Sequence, residues 1–244
     1  MDRQRGFTLI ELLVVIAIIA LLMSILMPAV SAAKKQTKDM LCLARVREWG
    51  LIFSIYSEEN DGKVVPDVHY TENDRLMELS KFEEMRFCPL AIKTFSEGAR
   101  HPFAVSEIAD TSYGLNLWVG KVGGSREEER CWLTTLVKRA WNIPLFTDST
   151  YADQCDPTPR HWDEPPEYDG ELPLGDLNEM QRVCMNRHNG GINCTFLDFS
   201  ARKVGLKELW ELEWSRNWFT DPFGKPDYDP PEWPEWMRDF KDYR

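Results

Sequence analysis

The segment Phe7–Met27 constrains this chain more than any other stretch of it. It is apolar along its length and carries one charge, Glu11. As a helix it is long enough to cross a bilayer core of roughly 30 Å. A short leader with Arg3 and Arg5 precedes it and ends at Gly6. A carboxylate inside an apolar span is costly, which marks Glu11 as a functional residue rather than a packing one. An ordinary secretory signal would be cut beyond the apolar run, at small residues such as those around Ala29–Ala33. A plain N-terminal anchor is the other bland reading. Neither gives Glu11 anything to do.

The block Arg5-Gly6-Phe7-Thr8-Leu9-Ile10-Glu11-Leu12-Leu13-Val14-Val15-Ile16-Ala17-Ile18 resembles the class III leader of type IV prepilins and type II secretion pseudopilins. The resemblance implies cleavage by prepilin peptidase between Gly6 and Phe7, with methylation of the new amine on Phe7. It divides the chain into a leader (1–6), a transmembrane and assembly helix (7–27), the outer half of the same long helix (28–60), an extracytoplasmic domain (61–220) and a tail rich in Pro, Trp and acids (221–244). Glu11 lies one helical turn beyond Phe7. Pairing its carboxylate with the Phe7 amine, within a subunit or between neighbours, offsets the cost of holding both charges in lipid, and the resemblance makes this an assembly contact. Arg3 and Arg5 favour a cytoplasmic N-terminus. The expected location is therefore the inner membrane, crossed once, with the C-terminal domain periplasmic or otherwise extracytoplasmic.

The fold class expected is α+β and pilin-like: one long N-terminal helix packed on a small antiparallel sheet. Pro28 interrupts the helical hydrogen bonding, and the helix resumes through Glu59. Leu41, Ala44, Leu51 and Ile55 recur at helical spacing, flanked by Trp49, Phe53 and Tyr56. Asn60-Asp61-Gly62 stops it. Further on, Val64-Val65-Pro66 reads as extended and Met85–Pro89 as a short strand ending in a turn. Ser112–Val119 reads as a strand or a loop, Arg126–Trp141 as a helix, Leu145–Thr150 as a strand, and Asp156–Gly175 as a loop. Asn189-Gly190-Gly191 marks a turn into a strand in which Ile192, Cys194 and Phe196 alternate with Asn193 and Thr195. Asp198-Phe199-Ser200 turns the chain back. Leu206–Trp210 opens a helix, and Trp210, Trp214 and Trp218 at i, i+4 would line one face of it, packing near Leu51 and Ile55. The tail reads as an extended strap or as partly disordered.

His188, nine residues, then Asp198 resembles the His-x9-Asp-Gly block of a prepilin-processing-associated domain, with Phe199 where that block has glycine. A glycine there supplies positive φ. Cys42, Phe87-Cys88-Pro89, Ser112-Tyr113-Gly114, Pro144–Asp148 and the block from Arg187 to Trp210 also resemble a subgroup of G-type pseudopilins of type II secretion.

Lys and Arg number 29 against 40 Asp and Glu, for a net charge of −11. That balance disfavours nucleic-acid partners, which need a basic footprint. The six cysteines include no Cys-x-x-Cys motif. Outside the cytoplasm they are free to pair, and sequence does not choose among the pairings; free thiols stay open as well. Cys42 with Cys88 is the favoured pair, because the Cys-Pro step should pack against the helix carrying Cys42. Cys184, His188 and Cys194 supply three zinc-type ligands without a spaced fourth, so core thiols or a disulfide are the better reading. Asp148, Asp153 and Asp156 are acids for a calcium site without EF-hand spacing; the G-type resemblance adds calcium as the one cofactor expectation, and no ligand set is carried over. His188 with Asp198 has neither a nucleophile motif nor an oxyanion loop beside it, so turn-stabilising hydrogen bonds are expected rather than an enzyme.

The resemblance as a whole implies a structural filament subunit, a type II secretion pseudopilin. Its partners would be prepilin peptidase, other pseudopilins or copies of itself, and the inner-membrane secretion platform with its separate ATPase. The alternatives are a type IV pilin for adhesion or motility, or, from the ten tryptophans, a membrane-anchored carbohydrate-binding module.

Overall fold

The computed structural model describes residues 8–64, 76, 78, 83–94, 96–105, 111–120, 128–150, 163–171, 178–218 and 232–243. Two compact units make up the chain, Met1–Met40 and Leu41–Arg244. One helix, α1, runs Leu9–Glu59 and contributes to both.

α1 begins with a reciprocal cap. The Thr8 N–H and the Thr8 hydroxyl both donate to Glu11 Oε2 at 2.8 Å, and the Glu11 N–H donates back to Thr8 Oγ1 at 3.2 Å. Thr8-Leu9-Ile10-Glu11 is thus a capping box, which satisfies two of the N–H groups a helix start leaves open. Helical assignment continues through Pro28. Within the first unit Leu9 to Met27 are all exposed. At the far end Asp61 and Gly62 take φ of 56° and 75°, and the Gly62 N–H closes on Ser57 O at 2.8 Å. Asn60-Asp61-Gly62 therefore stops the helix as its residue types require.

In the second unit a four-stranded antiparallel sheet has the order β3-β4-β5-β6, with β3 Tyr113–Leu115, β4 Pro144–Asp148, β5 Gly191–Phe196 and β6 Ala201–Gly205. A parallel pair, β1 Lys93–Thr94 and β2 Ala104–Val105, stands apart from it. All six residues of β5 are buried, because both faces of the sheet are covered. On one side lie Cys42, Val46, Trp49, Phe53 and Tyr56 of α1, in one cluster with Leu145 and Phe146. Trp49 stacks on Phe146 at 5.4 Å between ring centres. Gly50 lets the sheet come close, since a Cβ there would meet Thr195 Cγ2 at 2.5 Å. On the other side Ile192, Cys194 and Phe196 join Trp210, Trp214 and Trp218 in a second cluster.

Several sequence expectations change here. The stripe of Leu41, Ala44, Leu51 and Ile55 is exposed, and the flanking aromatics carry the contact instead. At 100° per residue the two sets lie on opposite faces of α1. The aromatics win the sheet because they bring more apolar area to it. The 198–200 turn meets α1 beside Gly50, not at Leu51 and Ile55. Among the described residues no tryptophan-bearing α-helix follows Leu206: a 3-10 helix, Lys207–Glu211, ends at an extended Leu212. The three indoles are placed by carbonyls instead. Trp210 donates to Asp163 O at 2.8 Å, Trp214 to Leu209 O at 2.8 Å and Trp218 to Trp210 O at 3.1 Å. Met85–Pro89 is a 3-10 helix, Glu83–Arg86, followed by a turn. Within Arg126–Trp141 the described residues form only short 3-10 turns and isolated bridges. Val65 and Pro66 lie outside the described residues. From the tail, residues 232–243 form a strap: Trp236 donates to Pro166 O at 2.8 Å, and Met237 is fully buried.

Candidate functional site

Gly6 and Phe7 lie outside the described residues. Glu11 is exposed on the first turn of α1 and is held by Thr8. The capping role was missed in the sequence, although Thr-x-x-Glu before an apolar run is its signature. It gives Glu11 a purpose in the single chain.

In the second unit, four side chains that sequence placed in separate motifs converge. Cys42 comes from α1, Cys88 from the turn after residues 83–86, Asp148 from the end of β4 and His188 from the loop before β5. Their donor atoms all lie within 4.8 Å of one another, and all four residues are buried. His188 Nε2 is 3.1 Å from Asp148 Oδ2 and 3.4 Å from Cys88 Sγ. Cys42 Sγ is 3.5 Å from Asp148 Oδ1 and 3.3 Å from the Tyr113 hydroxyl.

The surrounding residues hold the carboxylate in place. Arg187 Nη1 donates to Asp148 Oδ1 at 3.0 Å and to Ser112 O at 2.9 Å. Its Nη2 donates to Ser149 O at 2.9 Å and its Nε to Pro102 O at 2.7 Å. The Asn193 N–H adds a bond to Asp148 Oδ2 at 2.8 Å. The Cys88 N–H donates to Ser112 Oγ. A buried ion pair needs such a full set of partners to offset its desolvation.

The electrostatics follow from this geometry. Burial works to raise the pKa of Asp148, but the facing charge of His188 and that of Arg187 outweigh it and hold the carboxyl well below the usual range. Burial works to lower that of His188, yet Asp148 pushes it up to about 10. Burial raises the Cys42 thiol well above its ordinary value. Burial opposes ionisation of Cys88 too, but hydrogen bonds from Cys42 and His188 bring that thiol down. The group is therefore a compact set of two sulfurs, one imidazole nitrogen and one carboxylate. It can store charge internally or hold a soft or borderline metal.

Cys42 and Cys88 do come together, as the sequence led us to expect, but as free thiols and not as a disulfide. His188 does not pair with Asp198. Asp198 Oδ1 accepts from the Ser200 N–H at 2.9 Å and the Ser200 hydroxyl at 2.6 Å, which stabilises the turn between β5 and β6. The partner of His188 is Asp148. Phe199 takes φ of 64° in the position where the resembling block has glycine, so the turn keeps its left-handed residue without one. Cys184 and Cys194 sit in the tryptophan-rich cluster: Cys184 Sγ is 4.0 Å from Met237 Sδ, and Cys194 Sγ donates to Thr195 O at 3.4 Å. Burial raises both thiols. Asp148 faces Arg187 and His188; Asp153, Cys155 and Asp156 lie outside the described residues. Sequence reading missed Arg187 and Tyr113 as members of the group. The available signal was that Cys42, Phe87-Cys88-Pro89, Ser112-Tyr113, Thr147-Asp148 and Arg187-His188 were each singled out separately. The fold brings all of them to one place.

Comparison with known proteins points to the N-terminus. Residues 1–27 match the family described as the prokaryotic N-terminal methylation motif. The chain is 41% identical over 61 residues to the type IV wide pilus major component PilA4 of Thermus thermophilus, a match covering 25% of this chain and 47% of that protein. The chain thus spans about half the length of this curated relative. No solved structure matches the chain. With its methylation motif, its one long N-terminal helix and its small antiparallel sheet, the chain has a pilin-like α+β make-up and is similar at its N-terminus to type IV pilins.

Proposed function

We propose that the chain is a structural subunit of a membrane-anchored filament, a pseudopilin of a type II secretion system. Prepilin peptidase cuts it between Gly6 and Phe7 and methylates Phe7. The mature chain crosses the inner membrane once, with the second unit outside the cytoplasm. It polymerises with pseudopilins or with itself on the inner-membrane secretion platform. The observation that carries this reading is the match of residues 1–27 to the methylation motif, on a helix long and apolar enough to cross a membrane.

The unused face of α1 supports the same reading. Leu51 and Ile55 remain 51% and 45% exposed, beside exposed Leu41 and Ala44, although the opposite face is buried. An apolar stripe left open by its own domain fits helix-to-helix packing in a filament. The likeness to a pilus component favours the second reading, a type IV pilin for adhesion or motility.

Glu11→Leu tests the subunit reading. Membrane insertion and cleavage should persist, while crosslinking through cysteines placed in Leu12–Leu26 should be lost. Wild-type crosslinking by this variant rules out the assembly role of Glu11. Deleting the gene separates the two filament types: a defect in protein export with intact surface pili favours secretion, and the reverse favours a pilus.

A further inference from the structure

We propose that Cys42, Cys88, Asp148 and His188 form a closed four-coordinate site for a divalent transition metal, zinc by chemistry, which ties the outer half of α1 to the sheet. The spacing of the donors is the first argument. A tetrahedron with bonds of about 2.0–2.3 Å has edges of roughly 3.3–3.8 Å. The contacts here are 3.1 Å from His188 Nε2 to Asp148 Oδ2, 3.4 Å from Cys88 Sγ to His188 Nε2, and 3.5 Å and 3.8 Å from Cys42 Sγ to the two Asp148 oxygens. Three of the six donor pairs thus stand close to such an edge, and all the donor atoms lie within 4.8 Å of one another.

The donor set is the second argument. Two sulfurs exclude calcium and magnesium, which take oxygen ligands, and suit zinc with imidazole and carboxylate as the other two. Charge is the third. Two thiolates and one carboxylate around a divalent ion leave one negative charge, and the Arg187 guanidinium 3.0 Å from Asp148 balances it. Arg187 and the Asn193 N–H also fix the orientation of Asp148, and the Tyr113 hydroxyl faces Cys42 Sγ. Outer partners of this kind are what ligand carboxylates and thiolates need to stay in register.

All four ligands come from the protein and all are buried, so no coordination position is left for water. The site is structural, not hydrolytic. Its ligands span residues 42 to 188 and come from four separate segments, so one ion would join the helix, the Cys-Pro turn, β4 and the His188 loop. A Cys42–Cys88 disulfide would use two of these donors and leave only the imidazole and the carboxylate for an ion.

The test uses the full chain, purified in detergent without chelators from zinc-supplemented cells. Elemental analysis should find about one zinc per chain. Exchange for cobalt(II) should give the visible absorption of a tetrahedral thiolate site. Cys88→Ser and His188→Gln should bring zinc to background, whereas Cys184→Ser, outside the group, should retain it. Because the first two variants could misfold, the wild-type metal content and cobalt spectrum decide the matter. Zinc at background in the wild type, a Cys42–Cys88 disulfide peptide in a non-reducing digest, or equal loss of zinc from folded Cys184→Ser would each overturn the proposal.

Discussion

The two halves of α1 obey different rules. From Leu9 to Met40 no residue is buried, whereas from Cys42 to Ser57 eight are. In the first half the stretch Leu9–Met27 is apolar nearly all round and carries only the charge of Glu11, so it has no preferred face and suits surroundings of lipid or other helices. The second half is two-faced, with Cys42, Val46, Trp49, Phe53 and Tyr56 against the sheet and Leu51 and Ile55 facing out. Composition alone assigns the first half. The second half is assigned by what it packs against.

If that contrast is right, truncating one side chain should have unequal effects in the two halves. Trp49 is fully buried, stacks on Phe146 and donates to Met85 O at 2.9 Å. Trp49→Ala should cost about 3–5 kcal/mol of stability, read from denaturant unfolding of the full chain in detergent. Leu22→Ala should leave the same transition where it was. Equal shifts would erase the distinction.

Glu11 sharpens the contrast from the other side. Glutamine can still serve a capping box but cannot pair as an anion. Glu11→Gln should therefore keep helix content by circular dichroism and lose helix-to-helix crosslinking. If it assembles as the wild type does, the cap and not the charge is what position 11 supplies.

A smaller effect is expected at Gly50. Alanine is favoured over glycine in a helix by about 1 kcal/mol, but its Cβ would meet Thr195 Cγ2 at 2.5 Å. Gly50→Ala should be destabilising by about 1–3 kcal/mol, since overpacking outweighs propensity. A stabilised variant would show that α1 and β5 are less closely applied than described.

The smallest stability effect should come from the open stripe. Leu51→Lys with Ile55→Lys should move the unfolding midpoint by no more than about 0.5 kcal/mol per site while weakening assembly. A large loss of stability would mean that the stripe belongs to the folding core after all.

The turn between β5 and β6 shows how far local chemistry can be read. Sequence located this hairpin and its Asp198, and the aspartate caps the turn through Ser200. The resembling block has glycine at the left-handed position, and here Phe199 occupies it with its ring packed against the cluster on the α1 side of the sheet. Long-range packing there outweighs a backbone cost of roughly 1–2 kcal/mol. The tryptophans give the opposite lesson. Their i, i+4 spacing is real, yet the chain is extended at Leu212, because a sheet already covered by α1 on one face draws the indoles onto the other.

The sequence by itself determined the leader, the membrane-long helix, its stop at Asn60-Asp61-Gly62 and the β5–β6 hairpin. Each of these is set by neighbours within a few residues: hydrophobic length, a left-handed pair, an alternating strand. The tertiary structure alone decided which face of α1 is buried and that His188 faces Asp148 rather than Asp198. It also decided that Cys42 and Cys88 meet as thiols beside that pair. These contacts join residues 40 to 149 positions apart. They arise because burying two faces of one sheet brings distant segments to the same place, and no local spacing encodes that.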